Sequence, residues 1–220
     1  MHTHKEEVVL HVHESNDNLA EHVQEILKEQ SIYAVNVMGA PGVGKTTTLE
    51  NIIKHLKCAA YVLEGDIESD IDTRRLCKQN IAARQINTFG ACHLDAPLIH
   101  KAVHDWQFDK DGILFIENVG NLVCPAEFSI GENIKMLIVS VTDGSDKPYK
   151  YPLAFEKAGI IILNKIDLLP YVDFDEKFFM DGVRHLNKDV PVFKVCGKTG
   201  EGFQEVAEFL GKLKVVSYKL

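Results

Sequence analysis

The chain has 220 residues, 45% hydrophobic and 25% charged, which suits a soluble protein with one sizeable core. A net charge of -8 argues against nucleic acid as a main partner. No apolar run reaches membrane-spanning length and no signal-peptide pattern opens the chain, so a cytoplasmic location is expected, with no membrane partner and with all five cysteines reduced.

Residues 1–14 carry His2, His4, His11 and His13. The last two, alternating around Val12, fit one face of a strand, and the set reads either as a loose metal-binding tract or as a solvated, flexible segment. No other ligand type lies nearby, which favours the flexible segment. Residues 15–220 read as a single domain. It opens with a helix capped by Asn16 or Asp17, whose apolar stripe is Leu19, Val23, Ile26 and Leu27.

The apolar run 32–38 leads into Gly39-Ala40-Pro41-Gly42-Val43-Gly44-Lys45-Thr46, and a helical pattern leads out over 45–56. This is G-x-x-x-x-G-K-S/T in the setting it requires: strand, tight glycine turn, helix N-terminus. The glycines let backbone N–H groups turn toward phosphate oxygens, and the helix dipole adds positive potential there. Lys45 is expected at the β- and γ-phosphates, and Thr46 at Mg2+. A glycine-rich turn without a ligand is the bland alternative, and the flanking strand and helix weigh against it.

A second strand is expected at 59–63, ending in Glu64-Gly65-Asp66, then an acidic-to-basic segment with Asp72. Asp66 and Asp72 are candidates for Mg2+, or else belong to an acidic helix N-terminus. A third strand, 82–88, precedes Cys92-His93 and a helix over 94–106. A fourth, 113–116, is apolar and closes on Glu117-Asn118-Val119-Gly120, where an acidic residue can hold the Mg2+ water shell and a glycine can sense the γ-phosphate. Asn121, not glutamine, follows that glycine, so unassisted turnover should be slow. Cys124 lies just beyond. Cys58 and Cys77 fall in helical patterns and read as buried packing, whereas Cys92, Cys124 and Cys196 fall at element ends.

A fifth strand, 134–141, leads to a polar loop at 143–150, whose Lys147 and Lys150 either reach a nucleotide on a neighbouring subunit or stay solvated. A sixth, 159–163, ends in Asn164-Lys165-Ile166-Asp167, or N-K-x-D. A carboxylate at Asp167 accepts from the guanine N1 and N2 donors and is left unpaired by adenine. After a helix at 175–186 and a strand at 192–195, the loop from Cys196 through Gly197 and Lys198 is placed to offer backbone N–H to guanine O6. A helix over 203–213 closes the chain. Strands and helices alternate throughout, so the fold class is α/β: three layers, a mostly parallel central sheet, helices on both faces, ligands at the strand carboxyl ends.

The stretches GAPGVGKTT, INTFGACHLDA, ILFIENVGNLVCPA, VTDGSDKPYKYP, NKIDLLPYVDFD and GKTGEG resemble the hydrogenase nickel-incorporation GTPases of the HypB family, from about Gly39 to the C-terminus. The resemblance implies a P-loop NTPase fold and slow Mg2+-dependent GTP hydrolysis that assists nickel insertion during NiFe-hydrogenase maturation. It implies GTP held by Gly39, Pro41, Gly42, Val43, Gly44, Lys45, Thr46, Thr47, Asn164, Lys165, Asp167, Gly197 and Lys198. Lys45, Asp72 and Glu117 take catalytic roles, and Thr46, Asp72 and Glu117 hold Mg2+, with Asp66 a looser candidate. A second site, for Ni2+ or Zn2+, uses Cys92, His93 and Cys124. The implied partners are a second copy of the chain, a nickel-binding co-chaperone and the hydrogenase large subunit. The chain departs from some members in having no cysteine before Cys58 and only scattered N-terminal histidines.

Neighbouring residues point their side chains apart, so Cys92 and His93 are expected not to share one ion readily. One chain also supplies three ligands where a closed tetrahedral site needs four, which a two-fold dimer would resolve. A regulatory switch without metal has no use for these three side chains. A urease-type nickel GTPase is the nearer alternative, but its Cys-Pro-His is replaced here by Cys124-Pro125-Ala126. A nucleotide kinase is disfavoured by N-K-x-D and by the lack of an arginine-rich lid.

Overall fold

The computed structural model describes residues 3–66, 71–88 and 90–218, apart from the side chains of residues 3–14 and of Asp66. Helix α1 (Thr3–Glu29) leads to strand β1 (Ile32–Met38), helix α2 (Lys45–His55), strand β2 (Ala59–Asp66), helix α3 (Ile71–Lys78) and strand β3 (Ala82–Asn87). Next come α4 (Ala96–His104), β4 (Gly112–Glu117), the one-turn α5 (Cys124–Glu127), β5 (Ile134–Ser140), and the short α6 (Lys147–Lys150) and α7 (Pro152–Lys157). Strand β6 (Ile160–Asn164), a 3-10 segment (Ile166–Tyr171), α8 (Glu176–Leu186), β7 (Val192–Lys194) and α9 (Phe203–Ser217) complete the chain.

All strands pair in parallel, in the order β3-β2-β4-β1-β5-β6-β7. The inner strands of such a sheet are covered on both faces, which is why β1 and β4 are buried at every position. Alternation of side chains divides them between two layers. Val35, Val37, Ile113 and Phe115 pack with Leu49 and Ile52 of α2, Leu76 of α3, and Phe203 and Leu210 of α9. On the other face, Ala34, Leu114 and Ile116 meet Val23 and Leu27 of α1 and Ile99 and Val103 of α4, while Leu137, Val139, Ile161 and Leu163 meet Phe155 of α7 and Phe179 of α8. Strand β1 lies between β4 and β5, so the loops that follow β1, β4, β5 and β6 open at one edge.

Several local expectations change in the folded chain. Helix α1 begins at Thr3, so positions 11 and 13 are helical rather than on a strand; the side chains of His4, His11 and His13, and all of His2, lie outside the described residues. Asn16 is therefore inside α1 and is not its cap. It is 5% exposed, donates to Ser129 O at 2.8 Å and accepts from Ala96 N at 3.0 Å, closing the start of α4 instead. Strand β2 continues through Glu64, paired by β3 and β4 on both sides, to Asp66, where β3 alone pairs with it. The expected strand 134–141 ends at Ser140, a 3-10 turn, Val141–Asp143, follows it, and the expected loop 143–150 contains helix α6. Cys77 is exposed on α3, and Cys58 is half-buried before β2 rather than inside a helix.

Candidate functional site

Met38 is fully buried at the end of β1, and the chain turns at once into the glycine-rich loop. The turn depends on glycine at particular places. A Cβ at Gly39 would meet Ile138 O at 2.6 Å. Gly42 and Gly44 hold left-handed φ values of 78° and 92°. Gly44 caps α2, and the first turn of α2 has no acidic residue to compete with an anion. The Lys45 ammonium reaches Gly39 O at 3.4 Å, which curls it back over the loop. Pro41 packs against Gly120, where a Cβ would come within 2.9 Å of the ring.

Beside this loop three oxygen-bearing side chains from separate elements meet. Thr46 Oγ1, in the first turn of α2, donates to Glu117 Oε1 at 3.0 Å and lies 3.4 Å from Asp72 Oδ2. Glu117 ends β4 and is 6% exposed; its Oε2 is buried with no partner among the described residues. Burial is the main force that pushes its carboxyl up to about 7; Glu64 and Asp72 push the same way, against Lys45 and the Thr46 hydrogen bond. Helix α3 is held in place by Arg75 and Gln79 on Glu50 of α2 and by Thr73 on Glu64 of β2, and this fixes Asp72 at its first turn. An orphaned buried carboxylate oxygen beside a hydroxyl and a second carboxylate is a donor set for a hard divalent cation. The side chain of Asp66, the other acidic candidate, lies outside the described residues.

At the far side of the loop, Asn164 joins three segments. Its amide donates to Val43 O at 2.9 Å, and its Oδ1 accepts from Lys165 N at 2.7 Å and Gly197 N at 3.2 Å. Lys165 stands at φ 61°, and its ammonium reaches Gly42 O at 2.7 Å. That backward turn starts the 3-10 segment that carries the half-buried Asp167. Asn51 of α2 donates to Thr47 O and Gly197 O, so the 196–202 loop is tied to α2. Lys198 is exposed. Of the two loop lysines, Lys150 pairs with Asp146 at 2.5 Å and Lys147 lies over the Tyr151 ring.

Cys92, His93 and Cys124 converge: their ligand atoms all lie within 4.8 Å of one another. This corrects the expectation that adjacent Cys92 and His93 must diverge. The turn before α4 is irregular, so neither the helical nor the strand direction applies, and Cys92 Sγ sits 3.4 Å from His93 Nδ1. The Cys92 thiol also donates to Cys124 Sγ at 3.3 Å, and this hydrogen bond, with burial second, raises the Cys92 thiol above its ordinary range. The His93 ring stacks on Phe128 at 4.8 Å, and its burial lowers the imidazole below its ordinary value. Two thiols and an imidazole form a soft to borderline donor set for a transition ion, whose binding must displace the thiol protons.

Two residues that pattern reading left without a role hold these loops together. Asn118, 1% exposed, accepts from Leu94 N at 2.8 Å and donates to the fully buried Asn36 of β1. Asn121 bridges Gly39, donates to Cys92 O at 3.3 Å and accepts from Val123 N at 2.9 Å. The start of the phosphate loop and both thiol-bearing segments thus meet at one residue, the first through its backbone and the others through its side chain. A signal for the first was present in the sequence: an asparagine, Asn36, inside an otherwise apolar strand demands a buried partner.

The CobW/HypB/UreG nucleotide-binding domain family matches residues 33–194. The hydrogenase maturation factor HypB of Azotobacter chroococcum is 42% identical over 194 residues, covering 86% of this chain, which spans 63% of the length of that relative. The hydrogenase/urease maturation factor HypB of Helicobacter hepaticus is 35% identical over 217 residues, covering 97% of this chain and 90% of that one. The crystal structure of HypB from Helicobacter pylori in complex with nickel superposes with a TM-score of 0.87 at 34% identity, covering 93% of this chain and 97% of that one.

Proposed function

Because the chain belongs to the CobW/HypB/UreG family, and within it to the hydrogenase maturation factors HypB, we propose that it is a GTP-hydrolysing metallochaperone that assists nickel insertion into NiFe hydrogenase. The observation that carries this reading is the convergence of Cys92, His93 and Cys124 on segments tied through Asn121 to the first residue of the phosphate loop. A regulatory switch without metal cargo has no need of such a cluster.

In this reading Gly39, Gly42, Val43, Gly44 and Thr47 wrap the phosphates in backbone N–H groups, Pro41, which has no N–H, shapes the turn, and Lys45 places its charge on the β- and γ-phosphates. Thr46, Asp72 and Glu117, with Asp66 a further candidate, hold Mg2+, which when bound neutralises charge developing on the phosphate oxygens. The unpartnered Glu117 Oε2 supports that assignment, since this buried oxygen has no hydrogen-bond partner among the described residues. Asp167 accepts from the guanine edge, Asn164 and Lys165 hold the base pocket against the phosphate loop, and Gly197 and Lys198 line its far wall. With asparagine at 121 and no glutamine there, no side chain at that position orients the attacking water strongly, and hydrolysis is slow.

The cargo ion sits at Cys92, His93 and Cys124, and a second copy of the chain completes its shell in a GTP-favoured homodimer. A nickel-binding co-chaperone and the hydrogenase large subunit stand on either side of the transfer, in the cytoplasm. Among the described residues no helix is long and apolar enough to cross a membrane. A urease recipient is the second reading, favoured by the name of the Helicobacter hepaticus relative. The histidine of a Cys-Pro-His motif would fall at position 126, which is 1% exposed on α5, so no ligand projects from there.

The deciding experiment measures bound nickel and zinc per chain, with and without GTP, for wild type and Cys92→Ala, together with competition of ATP against GTP. Stoichiometric nickel lost in the variant, with GTP strongly preferred, is expected. Equal metal in both proteins, or ATP competing as well as GTP, overturns the reading.

A further inference from the structure

Three imidazoles that have no part in the site above meet where α1 packs on α4. His22 of α1 stacks on His100 of α4 with ring centroids 5.1 Å apart and planes 27° apart, and His104 follows with its centroid 5.8 Å from that of His100. His100 and His104 are four residues apart on one helix, so both rings emerge on the same face, the spacing by which two histidines of a helix share a metal. Two further observations point to a ligand. The Nε2 of His100 is buried and has no hydrogen-bond partner among the described residues, although a buried imidazole nitrogen is normally satisfied. His104 turns its Nδ1 to the Asp105 carboxylate at 3.1 Å, the outer partner that fixes ring orientation and leaves the opposite nitrogen as donor.

We propose that His22, His100 and His104 form a second, all-nitrogen site for a divalent transition ion such as Ni2+ or Zn2+, separate from the thiol site. The stacked pair presents ring faces, whereas coordination uses lone pairs in the ring plane. Rotation of the exposed His22 about its soft χ2 turns its edge toward the His100 nitrogen. His104, with its side chain 63% exposed and its Nδ1 held by Asp105, keeps Nε2 for the ion. Water completes the shell, because one side of the cluster is open to solvent. The bound ion clamps α1 onto α4, the helix that begins just after the Cys92–His93 turn, and so stiffens the support of the thiol site. Imidazole ligands select borderline ions over Mg2+ or Ca2+.

The test uses the full chain with the thiol site removed, Cys92→Ser with Cys124→Ser, titrated with Ni2+ alone and with Zn2+ alone. The same background carrying His104→Ala serves as comparison, and His2, His4, His11 and His13 remain in both, so their contribution cancels. The thiol-free protein is expected to bind one more ion per chain than the comparison, with only nitrogen and oxygen scatterers in X-ray absorption, and to gain several degrees in Tm with metal. The His104→Ala protein loses that ion and that gain, while its metal-free Tm is unchanged because the side chain is largely exposed. His100→Asn, checked for folding by circular dichroism, is expected to lose the ion as well. Equal stoichiometry with and without His104, or a metal-induced Tm gain that survives His104→Ala, overturns the proposal.

Discussion

At the scale of single residues, two carboxylates sit in opposite circumstances. Asp167 is half-buried at the start of the 3-10 segment, positioned by the left-handed turn at Lys165. If it accepts from the guanine edge, Asp167→Ala weakens GTP binding by about 2–4 kcal/mol, the worth of charge-assisted bonds in a partly desolvated site. Asp167→Asn shifts preference toward xanthosine triphosphate, because the amide offers a donor where the base now presents an acceptor. Competition binding with the three nucleotides checks both. Glu117 is buried, and its carboxyl rises from an ordinary value of 4.5 to about 7. A raised pKa means the folded chain holds the proton more tightly than the unfolded chain. That stabilisation is complete below about pH 4.5 and is lost as pH rises through about 7. In metal-free, nucleotide-free protein, Glu117→Gln should therefore remove about 2–4 kcal/mol of the decline in stability between pH 5 and 8. Urea unfolding in EDTA at the two pH values measures it, and equal declines in both proteins refute the assignment.

At the scale of elements, the site depends on how helices are pinned to the sheet. Asn16 spends both ends of its amide on α1-to-loop and α1-to-α4 contacts. Asn16→Ala leaves Ala96 N and Ser129 O without partners in a buried seam, for an expected loss of about 1–3 kcal/mol. Hydrogen exchange should quicken first at the start of α4 and in the adjoining Cys92–His93 turn, and uniform quickening over the whole chain would argue against a local tie. Much of the element pattern was legible in the sequence. The apolar runs became the five inner strands, because a parallel sheet buried on both faces leaves little choice of residue there, whereas the edge strands β3 and β7 have no fully buried position. The start of α1 was not legible: Asn16 and Asp17 are ordinary cap residues, and only packing against α4 makes residue 16 an interior bridge.

At the scale of the whole molecule, Asn121 connects Gly39 with the Cys92 carbonyl, and Gly120 beside it packs on Pro41. Nucleotide-dependent movement of the 118–121 segment must therefore disturb the thiol cluster. The expected outcome is a different nickel and zinc affinity in the GDP form and in a form loaded with a non-hydrolysable GTP analogue. The reciprocal change in nucleotide affinity on metal binding must have the same factor. Dimer fraction by sedimentation, followed through both titrations, should rise with the GTP form and with metal. Identical metal affinities in the two nucleotide forms, or metal binding unchanged in Cys124→Ala, would sink the coupling.

The sequence by itself determined the sheet, its layering, the phosphate loop at the end of β1 and the position of Asn164 to Asp167 at the end of β6. These follow from patterns within ten or so neighbouring residues: apolar runs, glycine spacing and strand-to-helix boundaries. Tertiary structure alone decided which distant side chains meet. Cys92 and Cys124 stand 32 residues apart, and the thiols touch because β4 carries its following loop beside the turn that opens α4. It decided that adjacent Cys92 and His93 aim at one point, since an irregular turn obeys neither helical nor strand geometry. It also decided the protonation of Glu117, which depends on exclusion of water and on two carboxylates from other strands and helices. Local sequence sets backbone conformation, whereas the direction, burial and charge of a side chain are set by whatever the finished fold packs against it.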